Sequence, residues 1–451
     1  MTREEMDALL KEHAKEFEDM SDAIWGFAET CFEEKQSMEI QRAYLEEKGF
    51  RTTAPAYNVV TAMMAEYGQG KPVIAILGEY DALHNMSQAA DVTRYEPLEG
   101  SNKGHGCGHQ LLGTAAVEAA FAVKEYMEAN KLPGTVRYLG CPAEEGGAGK
   151  IYMLRSGAFD DVDVAISWHP GSVSGIWSNA LSTAVGRFFF RGKAAHAAAN
   201  PDQGRSALDA AELMNVGVQF LREHIEDGSR IHYAFHDAGG TRPNIVQSTA
   251  ALNYCARAKD NDRVKDIFDR IVKIAQGAAL MTETELLPVE ITNAYSNIIP
   301  NSFLNELVMK EAGNAYPLPL TEEQKAYGRS FNQVIDGSNG DYNTEFRNIP
   351  RSSGSTDFGD VSWVVPSVAF TGACFAERTA GHSWALTAQG KSEAAHMGMH
   401  AAAKLMALCT IDLLEDPKLV TKAREAYEEA LAGRTYSSLL PEDARPRILY
   451  T

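Results

Sequence analysis

The chain has 451 residues, 45% hydrophobic and 23% charged, a composition typical of globular proteins and a length too great for one small core. Its 42 Lys and Arg against 61 Asp and Glu give a formal net charge of −19, which argues against nucleic acid and anionic membranes as partners. Six cysteines lack a disulfide-like spacing, and no apolar run approaches the roughly 18 residues that span a bilayer, so we expect a cytoplasmic protein.

The first third of the chain alternates helix and strand signals. Residues 1–20 have the pattern of an acidic amphipathic helix rather than a signal peptide. Further on, continuous apolar runs predict strands that are buried on both faces of a parallel sheet. The predicted strands are 71–80, 135–141 and 162–168, and the predicted helices are 108–130 and the stretch after Gly149. This rhythm indicates an α/β domain with a central, mostly parallel sheet flanked by helices.

From about Leu181 the pattern changes to that of a compact α+β unit inserted into the larger domain. The unit has predicted strands at 188–192 and 248–256 and predicted helices at 206–226 and 262–281. After about Asn293 the chain returns to the first domain. That last part has a predicted loop rich in Gly, Ser and Asn at 328–359, a strand at 363–370 and an Ala-rich helix at 392–414.

Polar residues directly follow the three predicted strands of the first domain. Asp81 follows the first strand, Glu144 and Glu145 follow the second, and His169 follows the third. In open α/β sheets, ligands bind beyond the carboxyl ends of the strands. This shared placement predicts that the four side chains contribute to a single site.

A cysteine and a histidine lie two residues apart in the stretch GHGCGH, at the start of a predicted helix. Cys107 and His109 could bind a transition metal, although buried unpaired cysteines and hydrogen-bonded histidines are common, so the pair alone is a weak signal. Glu144 and Glu145 lie on a Gly-rich turn between strand and helix. Because neighbouring side chains diverge, one carboxylate can bind metal while the other faces water or substrate.

Together these residues suit two divalent sites that share a bridging ligand. His169 lies at a strand end and His382 lies in a later polar loop, and either histidine alone would more often be structural. The predicted ligands are Cys107, His109, Glu145, His169 and His382. Glu144 then remains free to act as a base.

Six segments in order along nearly the whole chain carry a family resemblance. They are LGEYDAL, GHGCGHQLLGTA, PAEEGGAGK, GKAAHAAANPDQGRSALDA, GSTDFGDVSWVVPSVAF and GHSW. The chain resembles the metal-dependent amidohydrolases and peptidases that include aminoacylase, glutamate carboxypeptidase and acetylornithine deacetylase. Within that family it is similar to the branch of the auxin-conjugate and aminobenzoyl-glutamate hydrolases, and most of all to the B subunits of the latter.

The resemblance implies a domain organisation and a cofactor. It implies a metallopeptidase domain with an inserted, ferredoxin-like lid and dimerisation domain. The bounds drawn on the sequence are 1–181 for the first part of the catalytic domain, 182–293 for the inserted domain and 294–451 for the second part. It also implies two divalent ions per subunit, Mn or Zn, and a homodimer, with a related second subunit as an alternative.

The resemblance further implies a role for individual residues. Cys107 stands where other branches have a bridging Asp, and Glu144 falls on the general base. Asp81 matches an acidic residue that orients a metal-binding imidazole. His196, in the inserted domain, matches a residue that reaches the partner subunit's site and stabilises the tetrahedral oxyanion. The two positions at which relatives hold the substrate's carboxylate are Asn244 and Arg257.

The expected reaction is hydrolysis of the amide bond of an N-acyl amino acid or dipeptide-like substrate. The first choice is p-aminobenzoyl-glutamate, cleaved to p-aminobenzoate and glutamate. Three alternatives stay open: an aminoacylase or dipeptidase of other specificity, a weakly active partner subunit of a hetero-oligomeric hydrolase, and a Cys107 nucleophile with His109 as its base. Gln110 and His84 depart from the family's usual Asp or Asn and Pro, which leaves the details of the substrate open.

Overall fold

The structure, a computed structural model, describes residues 1–349 and 354–446. Its helices are α1 (Arg3–Phe27), α2 (Lys35–Glu47), α3 (His109–Asn130), α4 (Gly149–Arg155), α5 (Ala207–Leu221), α6 (Asn261–Thr282), α7 (Ser302–Ala312), α8 (Glu322–Ile335), α9 (Phe358–Ser362), α10 (Trp384–Gln389), α11 (Glu393–Glu415) and α12 (Pro417–Leu431). Its strands are β1 (Arg51–Thr53), β2 (Met63–Gln69), β3 (Val73–Gly78), β4 (Leu83–His84), β5 (Lys103–Gly104), β6 (Gly134–Gly140), β7 (Val164–Gly171), β8 (Ser174–Ile176), β9 (Ser182–Arg191), β10 (Arg230–Asp237), β11 (Thr249–Ala258), β12 (Glu285–Leu286), β13 (Glu290–Tyr295), β14 (Phe346–Asn348) and β15 (Ser367–Ala373).

An eight-stranded sheet forms the centre of the larger domain, in the order β1-β2-β6-β3-β7-β15-β8-β14. The four central strands β6, β3, β7 and β15 are parallel, whereas β1 and β2 pair antiparallel at one side. Every residue of β3 and β6 is buried, because helices cover both faces of the sheet. The predicted α/β domain with a mostly parallel sheet is therefore confirmed.

Two long helices fill the core on one side of this sheet. Helix α3 packs against α1, α11 and β3, and it is buried on almost all sides. By length and composition α11 could cross a membrane, which the sequence-based expectation of no such apolar run missed. However, 83% of its apolar window is buried inside the domain, where it contacts α3. The apolar composition of α11 is therefore accounted for by the core.

The inserted unit is a second sheet covered by two helices. Its order is β10-β11-β9-β12, with β13 also pairing with β9, and all of its pairs are antiparallel. Helices α5 and α6 pack on this sheet, so the chain runs β9-α5-β10-β11-α6-β13. This βαββαβ order is ferredoxin-like, as expected. The bounds at residues 182 and 293 stay a prediction, with the sheet itself running from Ser182 to Tyr295.

Two local expectations in the last third are wrong. Helix α8 extends into the predicted loop 328–359 because a Thr321–Gln324 capping box starts it and Phe331 anchors it in the core. Near the predicted strand 363–370, Trp363 instead ends the short helix α9, and the strand begins only after Pro366, at Ser367. Proline cannot donate to a strand ladder, so it delays the start of β15.

Candidate metal centre

The predicted site residues converge at one edge of the large sheet. The neighbouring parallel strands β6, β3 and β7 end at this edge, and they bring together the turn with Glu144, the segment with Asp81, and His169. Helix α3 begins at His109 and directs its first turn to the same place, two residues after Cys107. The loop before α10 adds His382. The predicted strand-end placement is confirmed for Asp81, Glu144 and Glu145, whereas His169 lies inside β7, two residues before its end.

The potential ligand atoms form two groups that share one sulfur. In the first ligand group the atoms of Cys107, His109 and His169 all lie within 4.8 Å of one another, and in the second ligand group the same holds for Cys107, Glu145 and His382. Cys107 Sγ is 3.3 Å from His169 Nε2, and His382 Nε2 is 3.1 Å from Glu145 Oε1. A ligand common to both groups is placed where a bridging ligand of two ions would lie.

Asp81 orients one residue from each ligand group. Its Oδ1 lies 2.8 Å from His109 Nδ1, and its Oδ2 accepts a hydrogen bond of 2.8 Å from the backbone N–H of Glu145. A carboxylate bonded to Nδ1 holds the proton on that nitrogen, which leaves Nε2 of His109 as a ligand atom. The position of Asp81 therefore suits the orienting role expected for it.

A tyrosine of the inserted domain holds the turn that carries Glu144 and Glu145. The Tyr295 hydroxyl donates to the Glu144 carbonyl at 2.6 Å and accepts from the Gly146 N–H at 3.0 Å. Gly146 has φ 105°, a conformation that favours glycine. Further along the turn, a Cβ on Gly149 would lie 1.9 Å from the carbonyl oxygen of Pro142, so this position also needs glycine. The sequence did not reveal Tyr295, which lies 151 positions from Glu144.

Burial and neighbouring charges set the protonation of these groups in the protein alone. Burial, with the charges of Glu79 and Glu145, raises the pKa of the Glu144 carboxyl well above its usual range. Burial opposes ionisation of Glu145, but contact with His382 and the charge of His109 lower its pKa to about 2. Burial lowers the pKa of His169 to about 4, which keeps this imidazole neutral and able to bind metal.

The donor atoms fit divalent cations. Within residues 1–349 and 354–446, three buried atoms make no hydrogen bond, namely His109 Nε2, Glu145 Oε1 and Glu79 Oε2. Their charged contacts are among themselves and with His382, at 3.3 Å between His109 and Glu79 and at 3.1 Å between Glu145 and His382. Buried polar atoms rarely go without a partner, and all three of these carry lone pairs and lie in the ligand clusters. Thiolate, imidazole and carboxylate ligands together suit Zn²⁺ or Mn²⁺. A metal ion would satisfy these atoms where the protein does not.

The ligand groups open into a cleft of about 890 Å³ between the two domains. Its walls come from β7, β8, the turn after β6, and strands β11 and β13 of the inserted domain. Arg257 reaches across from β11, and its Nη1 donates to Ser355 Oγ of the larger domain at 3.0 Å. Trp177 packs edge-on against His169, with ring centroids 5.5 Å apart. The expected substrate residue Arg257 thus lines the same cleft as the ligands.

The other two expected residues of the inserted domain lie elsewhere. His196 and Asn244 are both exposed, and neither is among the described residues that line the cleft. They are neighbours, because Ala197 N–H donates to the Asn244 carbonyl at 3.0 Å and His196 bridges to Ile245. The Nδ1 atom of His196 accepts from Ala198 and Ala199, which leaves Nε2 as the donor. A single chain does not bring this donor to its ligand groups.

The residues that depart from the family pattern have structural contacts. Gln110 is buried, and its Nε2 donates to the Gly390 carbonyl at 3.1 Å. His84 lies half-buried in β4. The nearby His105 is buried, with Nε2 3.0 Å from the Ile24 carbonyl. Neither Gln110 nor His105 lines the described part of the cleft.

Three buried charged residues next to the site were not anticipated. Glu79 lies 3.3 Å from His109, Lys150 is in the first turn of α4, and Asp357 precedes α9. The Lys150 ammonium forms ion pairs with the carboxylates of Glu79 and Asp357. A signal for Glu79 was available, because Glu79 and Asp81 are two residues apart at the end of the predicted strand 71–80, and side chains two apart in a strand share a face. The pairing of Lys150 has no comparable signal.

Comparison with known proteins identifies the family. Residues 75–444 match the profile of peptidase family M20/M25/M40. The chain belongs to this family. The protein is accordingly a hydrolase, and the resemblance noted in the sequence is confirmed.

Individual members of the family are similar over nearly the whole chain. The B subunit of the p-aminobenzoyl-glutamate hydrolase of Escherichia coli is 39% identical over 474 residues, which cover 98% of each chain. The Xaa-Arg dipeptidase of Mus musculus is 29% identical, over 93% of this chain and 90% of its own. A solved Bacillus subtilis structure, described as a dinuclear metal binding peptidase from the M20 family, has the same fold, with a TM-score of 0.59 at 17% identity over 90% of this chain and 99% of that one.

Proposed function

We propose that the protein is a metal-dependent amidohydrolase for N-acyl amino acids, and that p-aminobenzoyl-glutamate is its preferred substrate. The observation that carries this proposal is the pair of ligand groups sharing Cys107, next to Glu144, in a cleft that also holds Arg257. The name of the 39% identical relative supports the choice of p-aminobenzoyl-glutamate. Hydrolysis would release p-aminobenzoate and glutamate.

Two divalent ions per subunit, Zn or Mn, would occupy the two ligand groups. The description of the Bacillus subtilis protein as dinuclear supports the number, and the mixed donors leave either metal suitable. Bound there, such ions would lower the pKa of water and polarise an amide carbonyl. The raised pKa of the Cys107 thiol, caused by burial and by Glu145, means that the sulfur would lose its proton only when metal binds.

Glu144 would act as the general base. It lines the cleft beside both ligand groups but is a member of neither. Its carboxylate would take a proton from the attacking water and pass it to the nitrogen of the departing amine. The new C–O bond forms first, and the C–N bond breaks when the tetrahedral intermediate collapses and the amine leaves with the proton that Glu144 took from water, so the proton balance closes within one turnover.

Arg257 would bind the carboxylate of the substrate. Of the described residues that line the cleft, it is the only Lys or Arg. Its guanidinium extends from the inserted domain to Ser355, so it lies at the boundary of the two domains. An Arg fork suits a planar carboxylate, which every N-acyl amino acid carries. Asn244 is exposed beside His196 and outside the described lining of its own cleft, so it would contribute to this recognition in the site of a partner subunit.

His196 would complete the site of a partner subunit in a homodimer. It is exposed, its Nε2 is a donor, and it lies outside the described lining of its own cleft. From a second subunit, or after closure of the inserted domain as a lid, this donor would stabilise the oxyanion of the tetrahedral intermediate. Because the name of the E. coli relative makes it one subunit of its hydrolase, a related second subunit is the alternative partner.

A reducing, cytoplasmic location is also part of the proposal. All six cysteines are free in the part of the chain that the structure describes. Four of them, Cys31, Cys141, Cys374 and Cys409, are buried. A thiolate that bridges metal ions is sensitive to oxidation, so a reducing compartment would protect it.

The test is a substrate screen with metal-free protein reloaded with Zn²⁺ or Mn²⁺. The substrates are p-aminobenzoyl-glutamate, N-acetyl-glutamate, other N-acyl amino acids, and dipeptides ending in Arg like those named for the mouse relative. We expect the highest kcat/KM on p-aminobenzoyl-glutamate. Hydrolysis of none of them with either metal would overturn the proposal. Activity that survives a chelator but is lost on thiol alkylation would instead favour the Cys107 nucleophile.

A further inference from the structure

Tyr295 lies where the chain passes from the inserted domain back to the larger domain. It is the last residue of β13, and it pairs with Thr183, the second residue of β9. The two segments that connect the domains therefore lie side by side at this end of the smaller sheet. Any movement of the inserted domain must be absorbed at these connections. The side chain of Tyr295 is thus placed where such a movement would begin.

A β-bulge directs this end of β13 toward the larger domain. Ile291 lies opposite Gly186 and Asn293 lies opposite Val185, so Thr292 is an extra residue in the ladder. A bulge changes the direction of the side chains that follow it. After the bulge, Asn293 and Tyr295 share a face, and Asn293 Nδ2 donates to the Tyr295 hydroxyl at 2.9 Å. Both residues line the cleft.

The Tyr295 hydroxyl has no hydrogen-bonding capacity left for a substrate. A hydroxyl has one proton to donate and two lone pairs that accept. The proton goes to the Glu144 carbonyl at 2.6 Å, and the lone pairs accept from the Gly146 N–H and from Asn293. The ring is only 6% exposed. The residue therefore acts on the turn that carries Glu144 and not on a molecule in the cleft.

The hydroxyl fixes the rotation of the peptide group between Glu144 and Glu145. Tyr295 holds the carbonyl of this planar group, and Asp81 Oδ2 holds its N–H at 2.8 Å from the other side. The Gly146 N–H also donates to the Glu144 carbonyl at 2.7 Å, which closes a three-residue turn around Glu145. Rotation of the peptide group would redirect both glutamate side chains. Tyr295 is the partner in this arrangement that comes from the inserted domain.

We propose that Tyr295 is a positioning residue for Glu144, and that it aligns this base only while the inserted domain keeps its place against the larger domain. Proton transfer needs a base within about 2.6–3.2 Å of the proton-bearing atom, so a small rotation of the turn takes the carboxylate out of range. This inference rests on the proposed role of Glu144 as the base. It adds a direct connection between the placement of the inserted domain and the chemistry.

The test compares two tyrosine-to-phenylalanine variants of the metal-loaded protein. Y295F removes the hydroxyl and keeps the ring that packs in the core of the inserted domain. The matched control is Y254F, because Tyr254 is a fully buried tyrosine of β11 whose hydroxyl donates to Asn215 Oδ1. Tyr254 lies outside the described lining of the cleft. Thermal unfolding and elemental analysis verify that each variant is folded and holds its metal.

We expect Y295F to lower kcat on p-aminobenzoyl-glutamate about 10–100-fold, because a displaced base transfers the proton poorly. KM and metal content should stay close to wild type, since the hydroxyl binds neither substrate nor metal. Y254F should keep the wild-type kcat. A Y295F protein that is unfolded or has lost metal would make Tyr295 a structural residue and overturn the proposal.

A double-mutant cycle with E144Q separates positioning of the base from general support of the site. If Tyr295 acts through Glu144, the double variant E144Q/Y295F should keep the residual kcat of E144Q to within about twofold. If loss of the hydroxyl costs the same factor with and without Glu144, Tyr295 acts on something other than the base and the proposal is wrong.

Two further results separate this inference from the proposed function. If E144Q loses activity but Y295F keeps the wild-type kcat, the role of Tyr295 is wrong while the proposed function stands. If E144Q keeps the wild-type kcat, or wild type hydrolyses no N-acyl amino acid, the proposed function itself is wrong and the role of Tyr295 fails with it.

Discussion

The metal centre and the edge of the inserted domain around His196 and Asn244 differ in how completely one chain builds them. At the metal centre, side chains from three strand ends and one helix start converge, and Asp81 and Tyr295 hold them by hydrogen bonds. At the edge, the two residues are exposed neighbours that lie outside the described lining of the cleft. Under the proposed function, the chemistry is thus divided between a part that one chain assembles and a part that would need a second surface.

The cause of this difference is solvation. Buried donors and acceptors must find partners within the fold, so the residues that support the metal centre are fixed during folding. Exposed groups are satisfied by water and need no fixed partner. The structure of one chain therefore shows how a buried site is arranged. An exposed catalytic group acquires its role only when another element approaches it.

The largest loss of activity is expected from a substitution at the buried metal centre. Replacement of Glu144 by Gln removes the base but keeps the shape, so kcat should fall about 10²–10⁴-fold. The metal content should not change, because Glu144 belongs to neither of the ligand groups that share Cys107. Steady-state kinetics and elemental analysis of the same sample measure both quantities. The control is E118Q, because Glu118 is a buried glutamate on α3 that pairs with His400 outside the described lining of the cleft. A near-wild-type kcat in E144Q would show that another group is the base.

A substitution at the exposed edge of the inserted domain should also lower activity, but subunits of another variant should restore it. H196A should lose about 10²–10³-fold in kcat with unchanged metal content, because only a donor to the oxyanion is lost. Mixing it with E144Q subunits tests the second surface directly. In a two-fold symmetric dimer that exchanges subunits at random, His196 of one variant meets Glu144 of the other, and about a quarter of wild-type activity should return. If activity does not recover although subunit exchange is verified, His196 acts on the site of its own subunit.

Arg257 lies between the two parts, and its replacement should have a smaller effect. R257M should raise KM for p-aminobenzoyl-glutamate about 10–100-fold, the effect of losing one charged hydrogen bond. Kinetics on the substrate with its α-carboxylate amidated should show no such difference between wild type and R257M. S355A is the control for the contact between domains, since it removes the partner of Arg257 while keeping the guanidinium. Equal KM values for wild type and R257M would assign carboxylate binding elsewhere.

The smallest effect concerns a buried pair remote from the cleft. Burial would lower the pKa of His400, but the charge and hydrogen bond of Glu118, with Glu18 nearby, raise it to about 10. The charged ring thus stabilises the fold below its unfolded pKa of about 6.5, and this stabilisation is lost as the pH rises toward 10. H400N should therefore cost about 1–2 kcal/mol of unfolding free energy at pH 6 and progressively less up to pH 10.

Urea unfolding at a series of pH values measures this difference, and kcat at pH 7 should match wild type. A cost that does not depend on pH between 6 and 10 would mean that the ring is uncharged in the folded protein. Together with E144Q, this variant separates buried groups that serve catalysis from buried groups that serve stability alone.

Much of the metal centre was predictable because its signals are local. The apolar runs that became β3, β6 and β7 are continuous in the sequence, and polar residues at their ends must lie at one edge of a parallel sheet. The Cys107–His109 pair and the Glu144–Glu145 pair are neighbours along the chain. Adjacent residues keep their relation in any fold that preserves the local structure.

Tertiary structure decided the contacts between distant segments. Lys150 meets Glu79 across 71 positions and Tyr295 meets the turn at Glu144 across 151, and no local pattern encodes either contact. The same holds for α8, which replaces part of a predicted loop because its apolar face finds a place in the core. Periodicity and adjacency are properties of a segment, whereas packing and charge compensation depend on which other segments surround it.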